Sequence, residues 1–285
     1  MKEKLTFSTT PAWDLVDGFG CASLGLAGVS GNEEKHISTY QNSLEGVVLC
    51  GSYNDVLKKT REIAEPVFAA IVLFGNAGGE NGFLLDLQKI ISCPMVGGGA
   101  AIDPASGKSR LLTGGGEVAI FLITDDRFRY RAVAQSIHNN ILDPVHLELA
   151  DPRTILTING IDAATFLAER RKELALDVTD FEHLTISDYD NVNAHLSCVD
   201  GVVRSGRDLQ ENMLLRFVDH ECVYESIRAF YDDENAIVFG CAGLSGLLDC
   251  PLDTKSLGLY LFGEVCTANG KAEFGNLMLS KLIIE

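Results

Sequence analysis

The sequence predicts a mixed α/β fold in which two related α/β halves, each with a mixed sheet, pack together. The string "AAIVLFGNAGGENG" at residues 69–82 returns as "NAIVFGCAGLSG" at residues 235–246. A helical pattern precedes each copy, and strands joined by a hairpin turn follow each copy. One such unit is too small to bury both faces of its sheet, so we expect a layered α/β/β/α sandwich with pseudo-twofold symmetry.

The first unit begins with the segment "YNDVLKKTREIAEPVFA", which has apolar residues at helical spacing. Asn54 or Asp55 is a suitable N-cap, and Pro66 favours an end to the helix. A strand follows, and then a second helical pattern around Leu84 to Ile91. Further strands lead to Ile123, which completes the pattern of the first unit.

The second unit repeats this order. Val223, Ile227 and Phe230 form one apolar stripe of a helix, and a strand follows. A predicted strand from Gly258 to Val265 then meets Asn269-Gly270, a pair that accepts positive φ at both central positions and therefore indicates a hairpin.

The segment between the units predicts a helix from Ala163 to Leu174 and several short strands. Placing the division near Pro144 gives two predicted domains, residues 1–143 and residues 144–285. Each domain then contains one copy of the repeat.

Composition and charge exclude several classes of partner. The chain has 285 residues and a formal net charge of −17, which disfavours binding to nucleic acid or to anionic membranes. No segment approaches the roughly 20 apolar residues of a membrane-spanning helix, and the first residues lack the apolar core of a signal peptide. The 8 cysteines are scattered. We therefore expect a cytoplasmic protein with reduced thiols.

Glycine clusters lie where apolar strands begin or end, at residues 75–79, 97–100, 114–116 and 240–246. Glycine at such places permits tight turns and bulges. It equally permits several loops to converge into a pocket lined by backbone amides. The sequence alone leaves both interpretations open.

Several of these segments resemble the FIST domain family, in both its N-terminal and C-terminal regions. The segments "IVFGCAG" (237–243), "LGLYLFGEV" (257–265) and "AEFGNLMLSKL" (272–282) are similar to its C-terminal region in order and spacing. The segments "GFGCASLG" (18–25) and "CPMVGGGAAID" (93–103) resemble its N-terminal region. The resemblance covers most of the chain.

The resemblance implies a small-ligand sensor in signal transduction that binds an amino acid or a related small polar metabolite. It implies no enzymatic turnover, and signalling through a separate partner such as a kinase or a cyclase. The expected ligand-binding residues lie in the glycine-rich turns and the C-terminal hairpin: Cys21, Gly75, Asn76, Gly97, Gly98, Gly99, Cys241, Gly243, Glu264 and Asn276.

The side chains of Glu264 and Cys241 each indicate a specific chemical role. Glu264 ends an apolar segment, where a carboxylate needs hydrogen-bond donors or a cationic ligand group, so it is predicted to hold an amino group, with Asn276 nearby. The other interpretation of Glu264 is a surface carboxylate beside the hairpin. Cys241 could be a nucleophile only with a base or a positive charge beside it, and otherwise it is a buried, inert thiol.

A purely structural or interaction module is one alternative to the sensor, and two further alternatives involve specific chemistry. One is a hydrolase or lyase that uses Cys241 or Glu264 in the same pocket. The other is a haem-binding nitric oxide sensor, as in some relatives of the family, with thiolate ligation by Cys93 or Cys250, each of which precedes a proline. The histidine spacing matches no metal motif, so neither a metal nor another cofactor is expected.

Overall fold

Twenty-one β-strands and four α-helices occur among the residues that the structure describes. The structure is a computed structural model, and the described residues are 3–5, 16–17, 25–26, 44–75, 78–100, 117–136, 140–173, 184–219, 224–233, 235–241, 257–261 and 263–285. The strands form several mixed sheets that pack together with the helices, so the predicted α/β class is confirmed.

The helices are α1 (Tyr53–Arg61), α2 (Glu80–Gln88), α3 (Ala163–Glu173) and α4 (Tyr224–Tyr231). The strands that precede α3 are β1 (Glu3–Leu5), β2 (Val16–Asp17), β3 (Gly25–Leu26), β4 (Leu44–Gly51), β5 (Ala69–Phe74), β6 (Met95–Gly99), β7 (Val118–Ile123), β8 (Tyr130–Ser136), β9 (Asn140–Val145), β10 (Leu147–Asp151), β11 (Thr154–Ile158) and β12 (Ile161–Asp162). The strands that follow α3 are β13 (Thr185–Ser187), β14 (Asn193–Val199), β15 (Val202–Ser205), β16 (Leu215–Asp219), β17 (Ala236–Cys241), β18 (Leu257–Leu261), β19 (Glu264–Ala268), β20 (Lys271–Gly275) and β21 (Met278–Ile284).

The four strands of one sheet correspond to four neighbouring strands of another. The first sheet has the order β1-β4-β7-β5-β6-β19-β20, and the second sheet has the order β18-β17-β21-β8. Within the first, β4-β7 and β7-β5 are antiparallel and β5-β6 is parallel. Within the second, β8-β21 and β21-β17 are antiparallel and β17-β18 is parallel. The two repeated strings supply the equivalent strands β5 and β17.

The two sheets face each other and carry helices on their outer faces. Ile71 and Phe121 of the first sheet share one apolar cluster with Phe239 and Leu282 of the second. Helices α1 and α2 cover the outer face of the first sheet, and α4 covers that of the second. Successive side chains of a strand point to opposite faces of its sheet. Since one face of these strands packs against the other sheet and the opposite face packs against helices, the strands are apolar throughout.

A third sheet is inserted between β8 and α4. Its order is β10-β11-β15-β14-β13-β16-β9, with β12 paired to β11, and it packs with α3 around a separate apolar core. We call it the inserted sheet. The predicted boundary between residues 143 and 144 falls inside β9, and the two-domain division remains a prediction.

The C-terminal hairpin connects the two repeated units. The sequence predicts a single strand from Gly258 to Val265, but the structure has β18 in the second sheet and β19 in the first. Gly263 has φ +93°, a conformation that side chains disfavour, and it marks the change of direction between them. Asn269 and Gly270 both have positive φ and join β19 to β20, as the hairpin prediction requires.

Two helix starts differ from the prediction. Helix α1 is capped by Ser52, whose hydroxyl accepts from the Asp55 amide at 3.3 Å, in place of Asn54 or Asp55. Helix α2 begins at Glu80 and ends at Gln88, earlier than the predicted Leu84 to Ile91. Its N-cap is Gly79 at φ +80°, so backbone conformation and not a capping side chain begins this helix.

Candidate functional site

Glu264 lies at the point where the two facing sheets and the inserted sheet meet. It is the first residue of β19, and it pairs with Gly98 of β6 in the first sheet. Its Oε2 accepts a hydrogen bond of 3.1 Å from the amide of Met278, which begins β21 of the second sheet. The side chain is fully buried, so the interpretation as a surface carboxylate is wrong.

The Glu264 carboxyl is only partly satisfied. Its Oε1 has no hydrogen-bond partner among the described residues. Burial raises the pKa of Glu264 well above its usual value, and hydrogen bonding from the Met278 amide, then the Cys241 thiol and the Gly263 amide, opposes that effect more weakly. The folded protein therefore favours the protonated, uncharged carboxyl.

Gly97, Gly98 and Gly99 form the strand segment against which Glu264 is placed. Gly97 has φ +132°, and a Cβ there would lie 2.0 Å from the carbonyl oxygen of Val72 on the neighbouring strand. The amide of Gly99 donates to the carbonyl of Gly263 at 2.9 Å. Gly97 therefore allows β6 to approach β5 closely, and the hydrogen bond from Gly99 to Gly263 holds the start of β19 beside β6.

Cys241 ends β17 and is buried. Its thiol hydrogen-bonds to the Glu264 carboxyl and so offsets part of the effect of burial on the pKa of that carboxyl. Two predicted site residues therefore meet, although they are 23 residues apart in the chain. The preceding residue, Gly240, packs against α4, since a Cβ there would lie 2.4 Å from the Tyr231 hydroxyl.

Asn276 provides the more accessible side of the cluster. It is half-buried, and its Nδ2 would lie 3.1 Å from a Cβ at Gly263, the residue directly before Glu264. A Cβ at Gly206 would lie 2.3 Å from the Asn276 Oδ1, so a larger residue there would displace the Asn276 side chain. The predicted proximity of Asn276 to the start of β19 is consistent with these contacts.

Asn193 is a member of the cluster that the sequence analysis missed. It is fully buried at the start of β14, and its Nδ2 donates to the Leu277 carbonyl at 3.2 Å and to the Ser136 hydroxyl at 2.9 Å. Its backbone carbonyl accepts from the Asn276 amide at 3.0 Å. The Leu277 carbonyl can only accept a hydrogen bond, so the side-chain atom of Asn193 that faces it must be Nδ2. The Oδ1 of Asn193 then has no partner among the described residues.

Ser187 stands directly opposite Asn193 in the β13-β14 pair. It is also buried, and its hydroxyl has no partner among the residues described. The sequence signal for each residue was a polar side chain next to core residues of its own strand, Ile186 beside Ser187 in β13 and Ala194 beside Asn193 in β14. We call Ser187, Asn193, Cys241, Glu264 and Asn276 the junction cluster.

A buried ion network adjoins the junction cluster and was also missed. Arg207 is fully buried and forms ion pairs with Asp188 of the inserted sheet region and Glu273 of β20, the latter at 3.2 Å. It also donates to the Val192 carbonyl at 3.1 Å. Because a buried charge must be paired, this network holds the inserted sheet in position against the C-terminal hairpin.

Of the other predicted site residues, the structure describes only Gly75. Gly75 follows β5, and its amide donates to the Glu117 carbonyl at 2.8 Å. Cys21, Asn76 and Gly243 lie outside the described residues.

The structure gives no support to thiolate ligation of haem. Burial raises the pKa of Cys93 to about 12, which opposes the thiolate that such ligation requires. Cys250 lies outside the described residues. In the part of the chain that is described, no group of three or more His, Cys, Asp or Glu side chains could hold a metal ion.

No protein-family model matches the sequence, and no curated protein matches it at a significant level. Within the described ranges, no helix combines the length and the apolar character needed to cross a membrane.

Proposed function

We propose that this protein is a cytoplasmic small-ligand sensor of the FIST type, and that it recognises the amino group of an amino acid or of a related small polar metabolite at Glu264. The observation that carries the proposal is the unpartnered Oε1 of a fully buried carboxyl. A buried polar group without a partner costs free energy, and a ligand that supplies the missing donor recovers it.

An ammonium group suits Glu264 because it supplies both a donor and a positive charge. The charge favours the ionised carboxyl, against the burial that favours the protonated one. The half-buried Asn276 gives the ligand a hydrogen-bonding amide beside Gly263, on the more accessible side of the cluster. Recognition of an amine in this way needs no chemical change in the ligand.

Signalling would then depend on contact with a separate partner, such as a kinase or a cyclase, since the FIST-type role includes no output activity of its own. Ligand binding at the junction cluster affects the two facing sheets and the inserted sheet together, because Glu264, Met278 and Asn193 belong to these three different sheets. We infer that a change at that point is transmitted to the outer surfaces of the protein through the packed strands.

Thermal unfolding with a panel of free amino acids and their N-acetylated forms tests this function. A free amino acid at about 100 times its Kd should stabilise the protein by about 2.7 kcal/mol, and its N-acetylated form should not. Glu264→Gln should abolish the response, whereas Glu148→Gln, an exposed change in β10, should retain it. An equal response to both forms, or an unchanged response in Glu264→Gln, would contradict the proposal.

The enzymatic alternative rests on the contact between the Cys241 thiol and the Glu264 carboxyl. It predicts that a ligand is consumed, and that Cys241→Ser prevents consumption. Mass spectrometry of the ligand after incubation separates the two functions. An intact ligand that stabilises the protein supports the sensor.

A further inference from the structure

A groove of about 520 Å³ lies at the opposite end of β19 from Glu264. Three segments form it: the turn between α2 and β6, the strand β8, and the β19-β20 hairpin. Thr267, which lines it, is three residues along β19 from Glu264, or roughly 10 Å. The groove is therefore separate from the junction cluster, and residues of both facing sheets line it.

The charged side chains that line the groove are both basic. Arg131 extends from β8 and Lys271 from β20, and no acidic residue is among the described residues that form the walls. The whole chain has a net charge of −17, so a surface of this kind is unusual for the molecule. Each of these two side chains pairs with a carboxylate outside the groove lining, Glu285 and Glu273, so an anion that binds here must compete with those carboxylates.

Arg131 is available to a ligand. Its guanidinium is 3.7 Å from the Glu285 carboxylate, and both side chains are about 60% exposed. Exposed pairs of this kind contribute little, typically about 0 to 1 kcal/mol, so a ligand anion can replace Glu285.

Lys271 is also available. Its ammonium pairs with Glu273, but Glu273 is itself paired with the buried Arg207. The Lys271 side chain is 56% exposed, whereas that of Glu273 is 8% exposed. A ligand that attracts the Lys271 ammonium therefore leaves the Glu273 carboxylate with its buried partner.

The floor of the groove is held in place before any ligand binds. The Thr267 hydroxyl donates to the Met95 carbonyl at 2.7 Å, and the Gln88 side chain bonds to the Gly270 carbonyl and the Ala272 amide, each at 3.0 Å. Burial raises the pKa of the Cys93 thiol to about 12, so this wall adds no negative charge at neutral pH. A pre-formed groove loses little entropy on binding.

We propose that this groove is an anion-binding site for a small metabolite with a carboxylate or phosphate group, held between Arg131 and Lys271. The groove has a volume typical of small-molecule sites. The ionic groups of such a ligand form charge-assisted hydrogen bonds with the two basic side chains. The proposal is independent of the function assigned to Glu264.

Calorimetric titration with sodium phosphate and with sodium citrate, against sodium chloride at matched ionic strength, tests the site. At least one of the two anions should bind saturably, and the one that binds more tightly identifies the preferred group. Arg131→Gln combined with Lys271→Gln should weaken binding about tenfold or more. The matched control, Lys58→Gln with Lys59→Gln on the exposed side of α1, should leave it unchanged. Saturable binding that survives loss of Arg131 and Lys271, or no saturable binding, would overturn the proposal.

A second measurement uses the unaltered protein. Cys93 lines the groove and is half-buried, whereas Cys198 is exposed elsewhere. The anion that binds should slow alkylation of Cys93 at pH 9 and leave the rate at Cys198 unchanged. Equal rates at Cys93 with and without a saturating anion would also overturn the proposal.

Discussion

Asn193 and Glu264 hold the same peptide group from its two sides. The Asn193 Nδ2 donates to the Leu277 carbonyl at 3.2 Å, and the Glu264 Oε2 accepts from the Met278 amide at 3.1 Å. This peptide follows a residue with positive φ, since Leu277 has φ +52°, a conformation that non-glycine residues seldom adopt. Two buried side chains from different sheets thus stabilise an unfavourable turn between β20 and β21.

Replacing Asn193 with alanine should remove both side-chain hydrogen bonds and leave the buried Leu277 carbonyl without this donor. Such a loss typically reduces the free energy of unfolding by about 1 to 3 kcal/mol. Urea denaturation measures the change. Ser197→Ala, on the same strand but outside the cluster, should change stability by no more than about 0.5 kcal/mol. Equal effects of the two changes would show that Asn193 does not stabilise the turn.

Glu264 should make stability depend on pH in a definite direction. Its pKa is raised in the folded protein by burial, so the folded state keeps a proton that the unfolded chain loses. The contribution of Glu264 is therefore fully present below the ordinary glutamate pKa of about 4.3 and is lost as pH rises through the folded pKa. Glu264→Gln removes this dependence and keeps an acceptor for the Met278 amide.

Parallel urea titrations of the unaltered protein and Glu264→Gln, from pH 5 upwards, measure the effect. The variant should gain about 1.4 kcal/mol relative to the unaltered protein for each pH unit over which the folded state alone keeps the proton. Asp86→Asn, an exposed change in α2, is the control. A constant difference between Glu264→Gln and the unaltered protein at all pH values would contradict the raised pKa.

Arg207 should be far more important to stability than its exposed neighbour Arg204. Arg207→Met leaves the Asp188 and Glu273 carboxylates without their buried partner, which typically costs about 3 to 5 kcal/mol. Arg204→Met removes an exposed charge from the same region and should cost little. Urea denaturation of both variants makes the comparison, and similar midpoints would argue against the network.

The glycines at 97 and 82 should respond in opposite ways to alanine. A Cβ at Gly97 would lie 2.0 Å from the Val72 carbonyl oxygen at φ +132°, so Gly97→Ala must move β6 away from β5 and should cost about 3 kcal/mol or more. A Cβ at Gly82, within α2, meets nothing within 4 Å. Gly82→Ala should therefore stabilise by about 0.5 to 1 kcal/mol. Thermal unfolding of the two variants decides the comparison.

Local pattern was sufficient for some elements and not for others. The paired strings around β5 and β17 indicated equivalent strands, and Asn269-Gly270 indicated the hairpin, because these signals depend on neighbouring residues. The division of the predicted strand 258–265 between two sheets could not be read from the sequence. A single glycine, Gly263, permits that division, but packing against β6 and β17 determines it.

The sequence alone determined that Glu264 is a carboxylate at the end of an apolar run and that its repeat unit must cover another sheet. The tertiary structure alone decided that Glu264 is fully buried. It also decided that Asn193 and Arg207 of the inserted sheet region contact the C-terminal hairpin and the turn that follows it. It likewise placed Arg131 and Lys271 along one groove. The physical reason is the range of the interactions. Strand and turn preferences act over a few residues, whereas burial and charge pairing depend on contacts between segments about 60 to 140 residues apart in the chain.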